Sequence, residues 1–125
     1  MELSQKVKTT VTWVGQVLMG LIFILAGIGK LTGGVPVETR FMEWGYPGDF
    51  RFVVGTVEFL CGIALFIPRT ARYAAFILIG VMIGAFFTHV INAEYGRLII
   101  NVAYASVLFG VSYSRGRISS AIPIE

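Results

Sequence analysis

One carboxylate, Glu58, stands in the middle of an apolar stretch, residues 55–62 (GTVEFLCG). A charged side chain at the centre of a bilayer costs about 2.5–3.5 kcal/mol on insertion scales. Glu58 is therefore expected to point away from lipid and to find polar partners, or to carry a proton. A carboxylate in such a place can exchange protons or bind the polar head of a ligand.

Other polar side chains are predicted to lie near the depth of Glu58, all towards one face of the membrane. We interpret Glu58 and His89 as the candidate catalytic groups, and expect four ligand-binding groups: Lys30, Arg97, Asn101 and Tyr104. From the predicted helix ends, Glu58 lies about two turns in, or roughly 10 Å at 1.5 Å per residue. The other half of the bundle is expected to hold almost no polar group apart from Gln16. This asymmetry predicts a pocket in one half of the protein.

The same residues also fit a purely structural interpretation. Glu58 could pair with Lys30 or Arg97 and hold the helices together. Asn101 and His89 would then complete its hydrogen bonds. Against this, a bundle of this size can pack through glycine and alanine without any buried charge, so we favour the pocket.

The composition indicates a small membrane protein. The chain has 125 residues, of which 56% are hydrophobic and 14% charged, and its mean hydropathy is +0.80. A soluble domain of this length needs more polar surface. We expect one domain over residues 1–125, in contact with the lipid bilayer. The basic residues flank apolar runs, which indicates membrane topology and not binding to nucleic acid.

The residue types exclude several kinds of chemistry within the chain. The single cysteine, Cys61, excludes a disulfide or a dithiol pair and is expected to be a small buried residue. The single histidine, His89, excludes bis-histidine haem, and no cluster has the spacing of a metal site. No phosphate loop or nucleophile motif occurs either. We therefore predict no metal or haem.

The elements that position these residues are predicted to be four transmembrane helices. The apolar runs place them at about 11–31, 52–67, 73–91 and 98–113. Short connections predict an all-α, up-down-up-down bundle. The longest connection, the first outer loop, is expected to hold a short amphipathic helix that starts near Pro36 and ends near Gly45, with a plain loop as the alternative. Residues 1–10 and 114–125 are predicted as polar ends.

The basic residues predict that both termini are cytoplasmic. Six lie on the side of the termini: Lys6, Lys8, Arg69, Arg72, Arg115 and Arg117. Four lie on the other side or at its edge: Lys30, Arg40, Arg51 and Arg97. The side with more lysine and arginine faces the cytoplasm.

Two segments resemble motifs of the DoxX family of small membrane proteins. Residues 20–31 (GLIFILAGIGKL) resemble its first-helix motif, and residues 55–65 (GTVEFLCGIAL) resemble its second, Gly-x-x-Glu followed by Gly and Leu. Pro68, Arg72 and residues 84–89 fit the positions that follow. The resemblance implies four helices, the bacterial inner membrane and an association with redox chemistry. Some members are similar to the quinone-reducing subunit of thiosulfate:quinone oxidoreductase, and others are linked to thiol-handling complexes. A quinone is thus the cofactor implied here.

Three functions follow as hypotheses. The first is a redox subunit with a quinone or small-ligand pocket in the outer half of the bundle. The second is a non-catalytic accessory subunit whose glycine-rich faces pack on partner membrane proteins or on a second copy. The third is a proton-coupled transporter that uses Glu58 as its carrier carboxylate. Whether the chain is itself an enzyme is left open.

Overall fold

The protein is all-helical over the part of the chain that the computed structural model describes, residues 2–121, with side chains described for 4–117. These residues form five α-helices: α1 Glu2–Thr32, α2 Gly34–Glu43, α3 Phe50–Leu65, α4 Pro68–Ile91 and α5 Gly96–Ala121. The four longer helices surround a shared core, in which α1 packs mainly on α3, and α4 on α5. Helices α1 and α4 finish at the same end of the bundle at which α3 and α5 begin. Because α2 also lies there, we call it the α2 end.

Glycines allow α1 and α3 to approach each other closely. A Cβ added at Gly27 would lie only 2.6 Å from the carbonyl oxygen of Gly55, and one added at Gly62 would lie 3.0 Å from that of Gly20. Real Cβ atoms do not come so close to backbone, so only glycine permits this packing. The pairs also show that the two helices run in opposite directions.

Three helices are long and apolar enough to cross a membrane: Ser4–Thr32 within α1, Pro68–Ile91, and Gly96–Arg117 within α5. Their outer surfaces carry exposed apolar side chains: Leu18, Leu21, Leu25, Phe76, Ile83, Phe87, Ile99, Val102 and Phe109. Such surfaces require lipid contact. The chain is therefore an all-α, multi-pass membrane protein, as the composition predicted.

The fourth predicted span, α3, is shorter than the other three. Its 16 residues extend about 24 Å at 1.5 Å per residue, whereas the hydrocarbon core of a bilayer is about 30 Å thick. Its apolar residues are nevertheless continuous with the core, since Cys61 and Leu65 are buried. The expected burial of Cys61 is confirmed.

Several helices extend beyond the predicted spans. The lead before the first span is helical from Glu2, and α5 continues to Ala121, through residues predicted as a polar tail. Pro68, placed in a connection by the sequence, is the first residue of α4, where its missing N–H costs nothing. Residues 122–125 lie outside the described residues. The short helix in the first loop is confirmed as α2.

The half of the bundle away from α2 is more polar than predicted. Gln16 donates from Nε2 to the carbonyl oxygen of Leu65 at 2.8 Å, and its Oε1 accepts a hydrogen bond from Arg115. The guanidinium of Arg115 also lies 4.9 Å from the ring of Trp13. The expectation that Gln16 stands almost alone there was wrong. Arg115 was assigned to the polar tail because the end of α5 was placed too early.

Candidate functional site

The carboxylate of Glu58 points into the bundle and meets a lysine. Its Oε1 lies 2.7 Å from Nζ of Lys30, and the side chain of Glu58 is 3% exposed against 27% for Lys30. The close packing of α1 on α3 makes this contact possible, because Gly55 leaves room for the Lys30 side chain. The site thus holds a buried acid whose basic partner reaches the protein surface.

A second basic residue holds the end of α1 in place. Arg51, at the start of α3, donates from Nη1 to the carbonyl oxygens of Lys30 at 2.7 Å and Leu31 at 3.3 Å. These carbonyls belong to the last turn of α1, which has no further helical partners for them. Arg51 is buried. In the sequence analysis, Arg51 served only as one of the basic residues that indicate membrane orientation. In the structure, its side chain holds the backbone of Lys30 in place.

All six predicted site residues line one cavity at the α2 end of the bundle. Its volume is about 870 Å³, and its wall includes Lys30, Glu58, His89, Arg97, Asn101 and Tyr104. The volume is in the range of pockets that bind drug-sized molecules. Four helices therefore bring their polar groups to one space, although the contacts among them differ from those expected.

The amide nitrogen of Asn101 is a buried donor in the wall of the cavity. The residue is 7% exposed, and its Nδ2 makes no hydrogen bond with any atom of the described residues. A buried donor left unpaired costs about 1–3 kcal/mol. Since Asn101 lines the cavity, this donor is available to a bound molecule. The purely structural interpretation expected Asn101 to complete the hydrogen bonds of Glu58. The amide nitrogen of Asn101 makes no such bond.

His89 is held by a residue that the sequence analysis missed. Its Nδ1 lies 2.8 Å from Oε1 of Glu94, and the same oxygen accepts a hydrogen bond of 2.9 Å from Nε1 of Trp44. The His89 hydrogen bond holds the pKa of the Glu94 carboxyl below its ordinary value, against the opposing effect of burial. Glu94 thus ties the segment after α2 to the end of α4. The only signal in the sequence was an acid placed five residues after the single histidine.

Aromatic residues cover the α2 end of the cavity, and we call Phe41, Trp44, Tyr46 and Phe50 the aromatic roof. The ring of Phe41 contacts those of the other three at centroid distances of 5.3–6.3 Å. Tyr46 stacks on Phe50 at 5.1 Å. The hydroxyl of Tyr46 lies 2.6 Å from Oγ1 of Thr88, which joins the roof to α4.

The remaining predicted residues lie at opposite ends of the cavity. The ring of Tyr104 meets Phe23 edge to face at 5.9 Å and forms part of the deep wall. Arg97 is exposed and lies at the rim. Among the described side chains, no three His, Cys, Asp or Glu residues lie close enough together to hold a metal ion.

The fold and the cavity define a small helical membrane protein with a polar pocket inside its bundle. The model of one family, the DoxX-like family, matches residues 14–111. This match covers α3 and α4 completely and more than half of α1 and of α5, and the chain belongs to the DoxX-like family. No curated protein and no solved structure gives a significant match.

Proposed function

We propose that this protein binds a quinone, or a ligand with a similar polar ring, in the cavity and serves as a redox-associated membrane subunit. The observation that carries the proposal is the unpaired amide of Asn101 in the same cavity wall as the Lys30–Glu58 ion pair. Of the buried donors left unpaired among the described residues, which are Arg51 Nε, Asn101 Nδ2 and Arg115 Nη2, only that of Asn101 belongs to a residue of the cavity wall, where a ligand oxygen could accept its hydrogen bond.

The residues of the wall fit such a ligand. A quinone, when bound, supplies two carbonyl oxygens that accept hydrogen bonds and a ring that takes up electrons together with protons. Asn101 and Lys30 are donors for the oxygens, and Phe23, Tyr104 and the aromatic roof offer flat apolar surfaces for the ring. The volume of about 870 Å³ accommodates one ring and part of a side chain.

Two acid–base groups in the wall can move protons to and from such a site. Glu58 is buried and contacts Lys30, so it can take up or release a proton inside the cavity. His89 also lines the cavity, and its partner Glu94 belongs to the exposed connection between α4 and α5. His89 and Glu94 therefore form a polar link between the cavity and the aqueous side.

The membrane arrangement that we propose has α3 as a fourth crossing helix. Short connections on either side of α3 and its antiparallel packing on α1 support an up-down-up-down bundle. The excess of basic residues on the side of the termini supports cytoplasmic termini. Family membership supports the inner membrane of a bacterium as the location.

A partner subunit would supply the electrons, and a second candidate function is a non-catalytic accessory role in such a complex. The outward face of α5 favours contact with another helix, since Ala103, Ser106 and Gly110 are exposed on it at spacings of three and four. Small residues in that pattern let helices approach in a membrane. A second copy of this chain would fit the same face.

The test is a titration of the protein in lipid nanodiscs with a quinone, read from tryptophan fluorescence. Glu58→Gln keeps the shape and removes the charge, and we expect it to weaken binding by about tenfold or more. Glu43→Gln, the same change at an exposed position of α2 outside the cavity, should bind as the wild type does. Equal affinity in all three proteins contradicts the proposal. If Glu58→Gln also leaves a partner complex intact and active, the accessory role is favoured.

A further inference from the structure

The cavity reaches the surface of the protein at an apolar cleft on the side of α4. Among its wall residues, Ile77, Gly80 and Gly84 of α4 are exposed. Apart from the adjacent backbone of α4, no heavy atom of the described residues lies within 4 Å of a Cβ added at Gly80 or Gly84. The wall opens here because these two positions carry no side chain.

This cleft lies between α3 and α4. Thr88, Gly84 and Ile77 follow one stripe of α4, because they are separated by four and seven residues. The hydroxyl of Thr88 contacts Tyr46, which stacks on Phe50 at the start of α3. The stripe therefore borders α3. We call the opening the α3/α4 cleft and define it by Ile77, Gly80 and Gly84 together with Val54 of α3.

The cleft opens at the depth of the lipid acyl chains. Gly84 and Gly80 precede Ile91, the last residue of α4, by about 10 and 16 Å at 1.5 Å per residue. Both distances fall inside a hydrocarbon core that is about 30 Å thick. No charged residue contributes to this part of the wall, whereas the aromatic roof covers the cavity towards the aqueous side.

The cleft leads directly to the polar groups of the site. Val54 and Glu58 lie one turn apart on the same side of α3, and both line the cavity. A molecule that enters from the lipid therefore passes an apolar opening first and then meets the Lys30–Glu58 pair and the free amide of Asn101.

We infer that the ligand comes from the bilayer and has two parts, a polar ring and a long apolar chain. Its ring lies at Glu58 and Asn101, and its chain leaves through the α3/α4 cleft across Gly80 and Gly84. This inference rests on the proposed binding function and adds the class of ligand and its route.

A second opening of the cavity gives an alternative route for the ligand. A variant that fills it can therefore distinguish the two routes. Gly29 of α1 also lines the cavity, is exposed and has no heavy atom within 4 Å of an added Cβ. The exposed Arg40 and Arg97 also line the cavity, and they belong to α2 and α5, not to α3 or α4. A route past these charged residues suits a polar molecule and not the passage of an apolar chain.

The experiment compares two probes in phosphatidylcholine nanodiscs: a dimethoxy-methyl-benzoquinone without a side chain, and the same ring with a decyl chain. Gly80→Leu and Gly84→Leu place a side chain in the cleft, and Gly29→Leu fills the other opening. Gly110→Leu is the matched control, because Gly110 is also open and exposed but lies outside the cavity wall. Circular dichroism and elution volume check that each variant folds.

We expect Gly80→Leu and Gly84→Leu to weaken binding of the decyl probe by at least about tenfold, a change of about 1.4 kcal/mol. The ring without a chain should bind all variants equally. Unchanged binding of the decyl probe by both α4 variants overturns the inference, as does its selective loss in Gly29→Leu. If the wild type binds neither probe, the proposed function itself is wrong, and the inference about its ligand is lost with it.

Discussion

At the scale of single residues, Asn101 gives the main support for the proposal that the cavity binds a ligand. Ion pairs such as Lys30–Glu58 occur in many membrane proteins for structural reasons alone. The unpaired amide nitrogen of Asn101 destabilises the fold unless a bound molecule accepts its hydrogen bond. Function and stability should therefore oppose each other at this residue.

Asn101→Leu tests this opposition. Leucine has a similar volume and leaves no unpaired donor, so we expect the variant to be as stable as the wild type or up to about 1–3 kcal/mol more stable. Quinone binding should fall by about tenfold or more. Thermal unfolding in detergent and the titration described above measure the two effects. Ser106→Leu, on the exposed face of the same helix, should leave binding unchanged. A loss of stability without a loss of binding would contradict a ligand-binding role for Asn101.

At the scale of helices, the packing of α1 on α3 brings Lys30 to Glu58. Gly27 lies one turn before Lys30, and a Cβ there would be 2.6 Å from the backbone of both Gly55 and Phe59. The ion pair therefore depends on a glycine contact that itself has no polar chemistry.

Gly27→Ala and Gly29→Ala form a matched pair on this helix. The first forces α1 away from α3, and we expect it to cost about 1–3 kcal/mol of stability and to weaken ligand binding. The second meets no atom within 4 Å and should be neutral or stabilising by up to about 1 kcal/mol. Thermal unfolding of both variants in one detergent measures the difference. Equal melting temperatures would show that the close approach is not needed.

A hydrogen-bonded contact joins the aromatic roof to the bundle, and it should depend on pH. Because the pKa of Glu94 is lowered in the folded protein, the unfolded chain binds the proton more readily. The stabilisation by Glu94 is thus fully present above its ordinary pKa of 4.5 and is lost as the pH falls through the lower folded value. Glu94 has partners in both Trp44 and His89.

Glu94→Gln should remove this part of the acid sensitivity. We expect the difference in melting temperature between wild type and Glu94→Gln to be constant from neutral pH down to about pH 5 and to shrink below it. Glu43→Gln, at an exposed position of α2, controls for the loss of one carboxylate. A difference that stays constant down to the lowest pH would contradict the role of the ionised Glu94.

At the scale of the whole molecule, the sequence predicted the composition of the site better than its contacts. Hydropathy and spacing placed all six candidate site residues in one half of the bundle, because helices of known direction have calculable depths. They could not show that His89 pairs with Glu94, since that contact depends on how the connection after α4 folds back. They also missed the buried Arg51 and Arg115, because a basic residue at a helix end is usually solvated. The aromatic roof and the α3/α4 cleft could not be predicted either, because each is formed by residues from more than one element and no pattern within a single helix indicates it.

The number of crossings decides on which sides of the membrane the two termini lie. If α3 crosses together with the three longer helices, both termini lie on the same side of the membrane. The positive-inside rule predicts that this is the cytoplasmic side. Green fluorescent protein fused to either terminus should then fluoresce in bacterial cells, since it does not mature after export in unfolded form. Fluorescence from only one of the two fusions would mean an odd number of crossings and would place α3 outside the set of spans.

The most direct test of the central claim is native mass spectrometry of the protein released from gentle detergent. The claim is that Lys30, Glu58 and Asn101 together hold a ligand from the membrane. We predict that wild-type protein carries a bound lipid-soluble molecule, identifiable as a quinone by its mass. Glu58→Gln and Asn101→Leu should lose it, while Glu43→Gln keeps it. Wild-type protein without any bound molecule, or the same molecule on all four proteins, would contradict the account.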